Sequence, residues 1–276
     1  MTAMNMKINN EDKTFEKKIE GVKEKLRALK RVLVAFSGGK DSFLLLKTAV
    51  ETLGKENVTA CHVKTGFSSK NDQKRINYFS QQLDFQLQVI EIDLSREKFI
   101  MSNPRERCYF CKKKIFSALK KKAQESGIET VLDGTTYSDL SEYRPGLKAL
   151  EELNILSLLQ DAGLTSAEIA AYLKKNAGTE DYFLTSSTCL ATRFPYDVQL
   201  NDRLLNIFDE LEEYFVNMGI YPVKIRYIPE GIRIETPSRH FREVLENRDE
   251  IIDFCKKTGL KFVTLDLEGI KSGVWD

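Results

Sequence analysis

The stretch Ser-Gly-Gly-Lys-Asp-Ser at residues 37–42 carries the residue types best suited to binding an anion. A glycine pair lets the backbone aim its N–H groups at phosphate oxygens, and a helix that begins there adds its partial positive charge. The residues expected to hold phosphate groups in this way are Ser37, Gly38, Gly39 and Ser42. Asp41 is expected to approach a Mg²⁺ ion that those phosphates carry. The spacing differs from G-x-x-x-x-G-K-[ST], so the stretch is not a Walker-type loop.

Cysteine is the second residue type whose spacing suggests chemistry, at positions 61, 108, 111, 189 and 255. Cys108 and Cys111 form a C-x-x-C pair, which fits a redox site, half of a zinc site or part of an iron–sulfur site. A redox pair of the thioredoxin type would directly follow a strand, whereas the polar residues 103–107 precede Cys108. A structural zinc ion takes four ligands, and no well-placed fourth cysteine or histidine is evident.

Together with Cys189, this pair suits a [4Fe–4S] cluster bound by three thiolates, in which one iron atom lacks a protein ligand. Such an open iron could hold an external sulfide or a substrate atom. The remaining cysteines, Cys61 and Cys255, lie in apolar strand and helix patterns and are predicted to be small core residues. Histidine-based catalysis is not expected, because the chain has only two histidines, far apart in sequence.

The composition is that of an ordinary globular protein, with 42 Lys and Arg residues, 41 Asp and Glu residues and a formal net charge of +1. This balance argues against a surface built to wrap nucleic acid. Residues 1–12 are polar and lack an apolar signal region. No run of residues approaches the roughly 18 apolar residues of a membrane span. We therefore expect a cytoplasmic protein with no membrane partner.

The elements that must position these residues alternate between strands and helices. Strands are predicted at residues 31–36, 58–63, 87–93 and 129–133, and helices at residues 13–30, 43–50, 72–83 and 112–126. This order predicts an α/β domain with a doubly wound parallel sheet. Ligands in such folds bind at the carboxyl ends of the strands. The loop at residues 37–42 is at such an end, and so are Lys64, Gly134 and Thr135, which are added to the expected nucleotide site.

A second region follows residue 196 and has a different pattern. Helices are predicted at residues 201–218 and 241–257, and strands at residues 223–227, 232–235 and 261–267. We therefore predict a nucleotide-binding domain at residues 1–196 and a smaller α+β domain, for substrate binding and oligomerisation, at residues 197–276.

Beyond these patterns, the chain resembles a known family. The loop at residues 37–42 has the signature of PP-loop ATP pyrophosphatases, which release pyrophosphate and leave AMP on the substrate. More specifically, the chain is similar to the LarE family of ATP-dependent sulfur transferases. The segments that carry this resemblance are residues 132–135, 142–148, 189–196, 224–226 and 263–267.

The resemblance implies a two-step reaction. ATP adenylates a carboxylate of pyridinium-3,5-dicarboxylate mononucleotide, and sulfur then displaces AMP to leave a thiocarboxylate for the nickel-pincer nucleotide cofactor. Single-cysteine members give up the sulfur of the residue that matches Cys189, and they have tryptophan and alanine in place of Cys108 and Cys111. Three-cysteine members resemble this chain. They imply a [4Fe–4S] cluster that carries an extra sulfide from a sulfide source, so that no protein atom is consumed.

The resemblance also implies roles for single residues. Catalytic roles fall to Asp41, Cys189, Arg193 and Glu212. Arg193, Glu212, Lys224 and Arg226 would line the substrate or phosphate side of the pocket, with Lys224 at a position where single-cysteine members have arginine. As cations beside a Pro-Gly turn, Arg144 and Lys148 are expected to contact phosphate or pyrophosphate. The family further implies a homo-oligomer, a hexamer built around the C-terminal domains.

The sequence is also compatible with two other functional hypotheses. A cluster-dependent tRNA thiolase would share the ATP chemistry and the three cysteines, and it would need a basic groove for RNA. The basic runs at residues 112–114 and 120–122 could belong to such a groove, although on an amphipathic helix such runs are more often a solvated face. A nucleotide-binding iron–sulfur or zinc sensor without enzymatic activity is the third reading.

Overall fold

The computed structural model describes residues 2–141, 144–185 and 188–271, with side chains from residue 13 onward. Glu142 and Tyr143 of the sequence motif lie outside the described residues. The α-helices of the described part are α1 (Thr2–Leu29), α2 (Lys40–Leu53), α3 (Lys70–Leu83), α4 (Lys98–Met101), α5 (Arg107–Glu125), α6 (Gly146–Glu152), α7 (Leu158–Asp161), α8 (Ser166–Ala177), α9 (Asp181–Leu184), α10 (Asp202–Asn217), α11 (Phe241–Glu246) and α12 (Arg248–Lys257). The β-strands are β1 (Val32–Ala35), β2 (Val58–Thr65), β3 (Gln88–Ile92), β4 (Thr130–Leu132), β5 (Lys224–Ile228), β6 (Gly231–Glu235) and β7 (Phe262–Leu265).

The chain forms two compact units. The first contains Met1–Lys64, Lys74–Ile92 and Cys108–Ser186, and the second contains Thr65–Gln73, Asp93–Arg107 and Ser187–Asp276. This division groups residues by proximity in space, so the predicted boundary between residues 196 and 197 stays a prediction about sequence domains.

The first unit is built on a four-stranded sheet in the order β3-β2-β1-β4. The central strand β1 runs parallel to both of its neighbours, with Val32 in register with Val58 on one side and with Thr130 on the other. Parallel neighbours require crossover connections, and α2 and α5 lie on such connections. The predicted α/β fold with a parallel sheet is confirmed.

Helices cover this sheet on both faces, in agreement with the doubly wound sheet that the order of strands and helices predicts. Val32 and Val34 belong to one core cluster, together with residues of α1, α2 and α8 such as Leu26, Leu45 and Leu173. Leu33 points to the opposite face and belongs to a second cluster. Because successive side chains of a strand alternate between faces, a strand buried on both sides must be apolar throughout.

The second unit contains a three-stranded mixed sheet in the order β5-β6-β7. β5 and β6 form an antiparallel pair, whereas β7 runs parallel to β6. The helix α10 has an apolar face that buries Leu205, Phe208 and Phe215, and its N-terminus is capped by Asn201. A mixed sheet packed with helices agrees with the predicted α+β pattern of this region.

One predicted element differs from the structure. The helix expected at residues 241–257 is divided into α11 and α12 by Asn247, whose backbone leaves the helical conformation. The side chain of Asn247 donates to the carbonyl of Glu243, and its own carbonyl accepts the N–H of Ile251. Asparagine competes with helical hydrogen bonding in this way, so the break has a local cause.

Within the described part of the chain, no helix combines the length and the apolar character that crossing a membrane requires.

Candidate functional site

The loop after β1 has the geometry that its sequence predicts. Gly38 has a φ of 81°, in the left-handed region that glycine adopts without strain. The Ser42 hydroxyl donates to the carbonyl of Gly39 at 2.9 Å and lies 3.0 Å from the Ser37 hydroxyl. Gly39 caps α2 without a side-chain hydrogen bond, so the first turn of this helix presents its backbone N–H groups without a side-chain cap. These features suit an anion.

Gly134 follows β4 and lies against this loop. A Cβ atom at Gly134 would stand 2.8 Å from the backbone nitrogen of Ser42, closer than such atoms can approach. Only glycine therefore allows the end of β4 to pack against the start of α2. Next to it, the buried Asp133 carboxylate accepts hydrogen bonds from the Thr135 and Ser157 hydroxyls. The structure thus places Gly134 against the loop, and the adjacent Thr135 donates to Asp133.

Asp41, the acidic residue of the loop, forms an ion pair with the adjacent Lys40. Both carboxylate oxygens of Asp41 lie within 3.0 Å of the Lys40 ammonium, which also donates to the Ser166 hydroxyl. Burial raises the pKa of Asp41, and the Lys40 charge opposes that rise. A carboxylate in this position could bind Mg²⁺, a cation that prefers oxygen ligands.

The other cations predicted for the nucleotide lie around the first unit in different settings. Arg144 forms an ion pair of 2.9 Å with Asp139, a carboxylate whose charge also raises the pKa of Asp41. Lys148 lies on α6 with its ammonium 5.8 Å from the centre of the Tyr109 ring. Lys64, in contrast, pairs with Glu91 on the exposed surface of β2 and β3.

In the second unit, a buried ion-pair network surrounds the segment after Cys189. Arg193 and Glu212 are each only 4% exposed and form two hydrogen bonds, at 2.5 and 3.0 Å. Glu212 also accepts the backbone N–H of Ile225 at 3.0 Å. Because both carboxylate oxygens are engaged, these contacts favour Glu212 as a positioning residue for Arg193.

The first residues of β5 add two cations to this network. Arg226 pairs with the buried Glu235 at 3.0 Å and donates to the carbonyl of Thr192 at 2.6 Å. Burial, reinforced by the charges of Arg226 and Arg193, lowers the pKa of Lys224 to about 8. The three cations of this cluster exceed the carboxylates of Glu212 and Glu235 by one charge, so the cluster suits an anionic group.

The segment before Cys108 is tied within the second unit to the segment after Cys189. The buried Arg107 donates to the Asn103 side chain and to the carbonyl of Ala191, the latter at 3.1 Å. Asn103, which is fully buried with a φ of 59°, donates to the carbonyl of Pro195 at 2.7 Å. This network fixes the chain that leads directly into Cys108.

The cysteines occupy two kinds of environment. Cys108 and Cys111 are half-buried, one turn apart on the same face of α5, and Cys189 is half-buried at the start of the turn Leu190–Arg193. Cys61 and Cys255 are buried, and burial raises the pKa of their thiols to about 11 and about 12, so both are core residues as predicted.

Across the described ranges, no three or more His, Cys, Asp or Glu side chains are grouped so as to hold a metal ion. Cys108 and Cys111 belong to the first unit and Cys189 to the second. The cysteines therefore offer a pair of neighbouring thiols and a third thiol from another segment. They do not form a ready-made ligand set among the described residues.

Comparison with known proteins agrees with the geometry of the loop. A family model described as the PP-loop domain matches residues 11–175. The chain belongs to the PP-loop family. A relative from Lactiplantibacillus plantarum, named pyridinium-3,5-bisthiocarboxylic acid mononucleotide synthase, is 33% identical over 90% of both chains. An uncharacterised protein of Methanocaldococcus jannaschii is 33% identical over 91% of this chain and 94% of its own length.

Other relatives match only part of this chain. A glutamine-hydrolysing GMP synthase of Borrelia garinii subsp. bavariensis is 31% identical over 47% of this chain and 25% of its own length. Membership of the PP-loop family and homology to a synthase over nearly the full chain make this protein an ATP-using enzyme.

Sequence reasoning missed several residues that this PP-loop protein places at its site. Ser166 stands more than a hundred residues after the loop, in a region where no element had been predicted. Lys40 is inside the motif, but no pattern indicates which way its side chain turns. The Asn103–Arg107 network carries one usable signal, since both residues lie in the five-residue segment before the C-x-x-C pair.

Proposed function

We propose that this chain is an ATP-dependent sulfur insertase that acts on the carboxylates of pyridinium-3,5-dicarboxylate mononucleotide and converts them to thiocarboxylates for the nickel-pincer nucleotide cofactor. The observation that carries the proposal is the match over 90% of both chains to a relative named for a bisthiocarboxylic acid mononucleotide. The proposal is also supported by the retained phosphate-type loop and by the buried charge network beside Cys189.

The first step is adenylation, which the loop residues serve. A carboxylate is a poor electrophile until AMP becomes its leaving group, so the substrate carboxylate attacks the α-phosphate of ATP and pyrophosphate leaves. The N–H groups at the start of α2 and the hydroxyls of Ser37 and Ser42 hold the phosphates, and Asp41 binds Mg²⁺. Arg144 and Lys148 are assigned to the departing pyrophosphate.

Substrate recognition is assigned to the second unit. The phosphate of the mononucleotide binds the cluster of the buried Arg193 and Arg226 and the half-buried Lys224. Glu212 keeps Arg193 in a fixed orientation through its paired hydrogen bonds.

In the second step, a sulfur nucleophile attacks the adenylated carbonyl carbon, AMP leaves, and the carbon keeps sulfur in place of one oxygen. Cys108, Cys111 and Cys189 are assigned to sulfur delivery and would hold a [4Fe–4S] cluster. Such a cluster, when bound, would supply an external sulfide from a sulfide source. Cys189 would then be needed as the third ligand, because the described residues of α5 contribute only the thiols of Cys108 and Cys111.

The alternative, a tRNA thiolase, gains no support from the basic runs of α5. Lys113 pairs with Glu152 at 2.8 Å, and Lys120 donates to the carbonyl of Leu153 at 2.9 Å. The alkyl chain of Lys112 packs so close to Gly146 that a Cβ atom there would stand 2.7 Å from it. These lysines serve contacts between α5 and the region of α6.

The deciding experiment measures pyrophosphate release by anaerobically prepared, cluster-loaded protein with Mg²⁺ and ATP. The pyridinium dicarboxylate mononucleotide and bulk tRNA are offered in separate reactions. We expect release only with the mononucleotide, followed by a product mass that reports exchange of oxygen for sulfur. Release only with tRNA would establish the thiolase instead, and no release with either would support the sensor.

Two variants assign the steps to residues. Asp41→Asn should depress pyrophosphate release, whereas Cys189→Ala should abolish sulfur transfer and spare formation of the adenylate. If Cys189→Ala removes both activities, the cysteine has a structural role and the assignment of the second step is wrong.

A further inference from the structure

The ion pair inside the PP-loop has an unusual geometry. Lys40 and Asp41 are consecutive residues at the start of α2, and side chains at consecutive helical positions do not normally face each other. Here both Asp41 oxygens lie 2.9 and 3.0 Å from the Lys40 ammonium. The side chain of Lys40 is only 5% exposed. A third group must therefore hold the ammonium in place.

That group is Ser166, the first residue of α8. Its hydroxyl contacts both the Lys40 ammonium and the Asp41 carboxylate, the latter at 3.3 Å. Ser166 is itself fixed, because its backbone N–H donates to the Ser138 hydroxyl at 3.1 Å and a capping box of Thr165 and Glu168 starts the helix. Ser166 thus holds the Lys40 ammonium in a fixed position beside Asp41.

The start of α8 is supported in turn by α1. Lys18 forms an ion pair with Glu168 at 2.6 Å and donates to the carbonyl of Gly163 at 2.7 Å. Ser166 therefore occupies a position that packing and hydrogen bonding determine independently of the PP-loop. A contact built from such a fixed residue is expected to persist in solution.

We propose that Lys40 is an internal counter-ion for Asp41, which Ser166 holds in a waiting position, and that it becomes a phosphate-contacting cation when magnesium–ATP binds. This inference rests on the proposed nucleotide site. The Asp41 carboxylate is half-buried, so in the absence of a metal ion a positive partner stabilises its charge, and Lys40 supplies that partner. When Mg²⁺ takes the Asp41 oxygens, the ammonium is released beside the N–H groups that face the phosphates.

The proposal assigns two separate consequences to Lys40. Before nucleotide binds, its ammonium competes with Mg²⁺ for Asp41, which raises the Mg²⁺ concentration that binding requires. After nucleotide binds, its charge strengthens the hold on the phosphates. A purely structural lysine would produce neither effect.

The test is calorimetric titration with α,β-methylene-ATP, which cannot release pyrophosphate, over a series of Mg²⁺ concentrations. For Lys40→Met we expect nucleotide affinity at saturating Mg²⁺ to fall about tenfold, the usual scale for losing one charged contact to phosphate. We also expect half-maximal binding at a lower Mg²⁺ concentration. Ser166→Ala should lower that Mg²⁺ concentration without weakening binding at saturation.

The matched control is Lys47→Met, which changes a lysine of the same helix that pairs with Glu51 at 3.7 Å, and it should match the wild type. Thermal unfolding tests whether each variant is folded. If Lys40→Met does not fold, Ser166→Ala still tests the counter-ion role independently. Unchanged Mg²⁺ dependence in the folded variants overturns the counter-ion role while the proposed function stands. If the wild type binds no nucleotide at any Mg²⁺ concentration, both the counter-ion role and the proposed function are wrong.

Discussion

Lys224 is a residue of the second unit whose charge depends strongly on its surroundings. It lies beside the cations Arg226 and Arg193, and the carboxylates of Glu235 and Glu212 only partly offset them. Burial and these cations lower its pKa to about 8, so a lysine here changes its charge close to physiological pH. The arginine that single-cysteine members are expected to have at this position would stay charged throughout.

This difference predicts how substrate binding depends on pH. If only the charged Lys224 binds the mononucleotide phosphate, the dissociation constant should rise about fivefold between pH 8 and pH 9. Lys224→Arg should remove that rise, because arginine keeps its proton. Calorimetric titration of the pyridinium mononucleotide at several pH values measures it, with the exposed Lys256→Arg as the control. Parallel pH profiles for wild type and Lys224→Arg would contradict the role of Lys224.

Gly134 shows how one missing side chain shapes the nucleotide site. A methyl group there would stand 2.8 Å from the Ser42 nitrogen, and backbone cannot move aside as a flexible side chain can. Gly134→Ala should therefore lower the free energy of unfolding by about 1–3 kcal/mol and weaken ATP binding. Gly21→Ala is the matched control, because a Cβ atom at Gly21 in α1 meets nothing within 4 Å. Urea unfolding of both variants, with nucleotide titration, measures these effects; equal stability of the two variants would argue against the close approach.

At the scale of elements, the start of α3 depends on a carboxylate from α10. The Asp209 oxygens accept the backbone N–H of Lys70 at 3.0 and 3.3 Å, which satisfies a donor at the N-terminus of α3. Burial nevertheless raises the pKa of Asp209 to about 6. The cost of burying the charge thus exceeds the stabilisation that this hydrogen bond gives to the ionised form.

The raised pKa predicts a pH dependence of folding. Between the ordinary pKa of 3.8 and about 6, the folded protein keeps a proton that the unfolded chain releases, so stability from this group is lost as pH rises. Asp209→Asn keeps an acceptor for Lys70 without the titration. Its stability relative to wild type should therefore increase from pH 4 to pH 7 in urea unfolding. The exposed Glu210→Gln should show no such trend, and a flat difference for Asp209→Asn would refute the prediction.

The elements also show what the sequence could and could not predict. The strand β1 was predicted to within a residue or two at each end, because a β-branched run between charged residues and glycines has few other interpretations. The helices between residues 146 and 184 were not predicted, since short helices with mixed faces leave weak periodicity. The same limit hid Ser166 at the start of α8.

Long-range polar pairs were equally beyond the reach of the sequence. The resemblance placed Arg193 and Glu212 in one pocket, but their direct pairing arises only when the turn after Cys189 packs against α10. Likewise, the lysine runs of α5 looked like a solvated or RNA-binding face, whereas Lys113 and Lys120 contact residues 152 and 153. Composition indicates how many charges a chain has, but tertiary packing decides which of them meet.

At the scale of the whole molecule, association into a hexamer remains a prediction from the family resemblance. Phe262 is 54% exposed on the edge strand β7, and an edge strand presents unpaired backbone groups with which another chain can pair. If the second unit mediates assembly, Phe262→Lys should lower the mass measured by light scattering. Val89→Lys, an equally exposed position on the edge strand β3 of the first unit, should leave the mass unchanged. The opposite pattern would place the association on the first unit.

The number of times that the chain passes from one unit to the other has a consequence for how such a protein can evolve. The chain passes from one unit to the other after residues 64, 73, 92, 107 and 186. A gene segment that encoded residues 197–276 alone would leave out Thr65–Gln73 and Asp93–Arg107, which complete the second unit. Recombination at a single site therefore could not carry this unit intact into another protein. A PP-loop enzyme of this kind is expected to acquire a new substrate by successive substitutions in place, and not by exchange of a ready-made module.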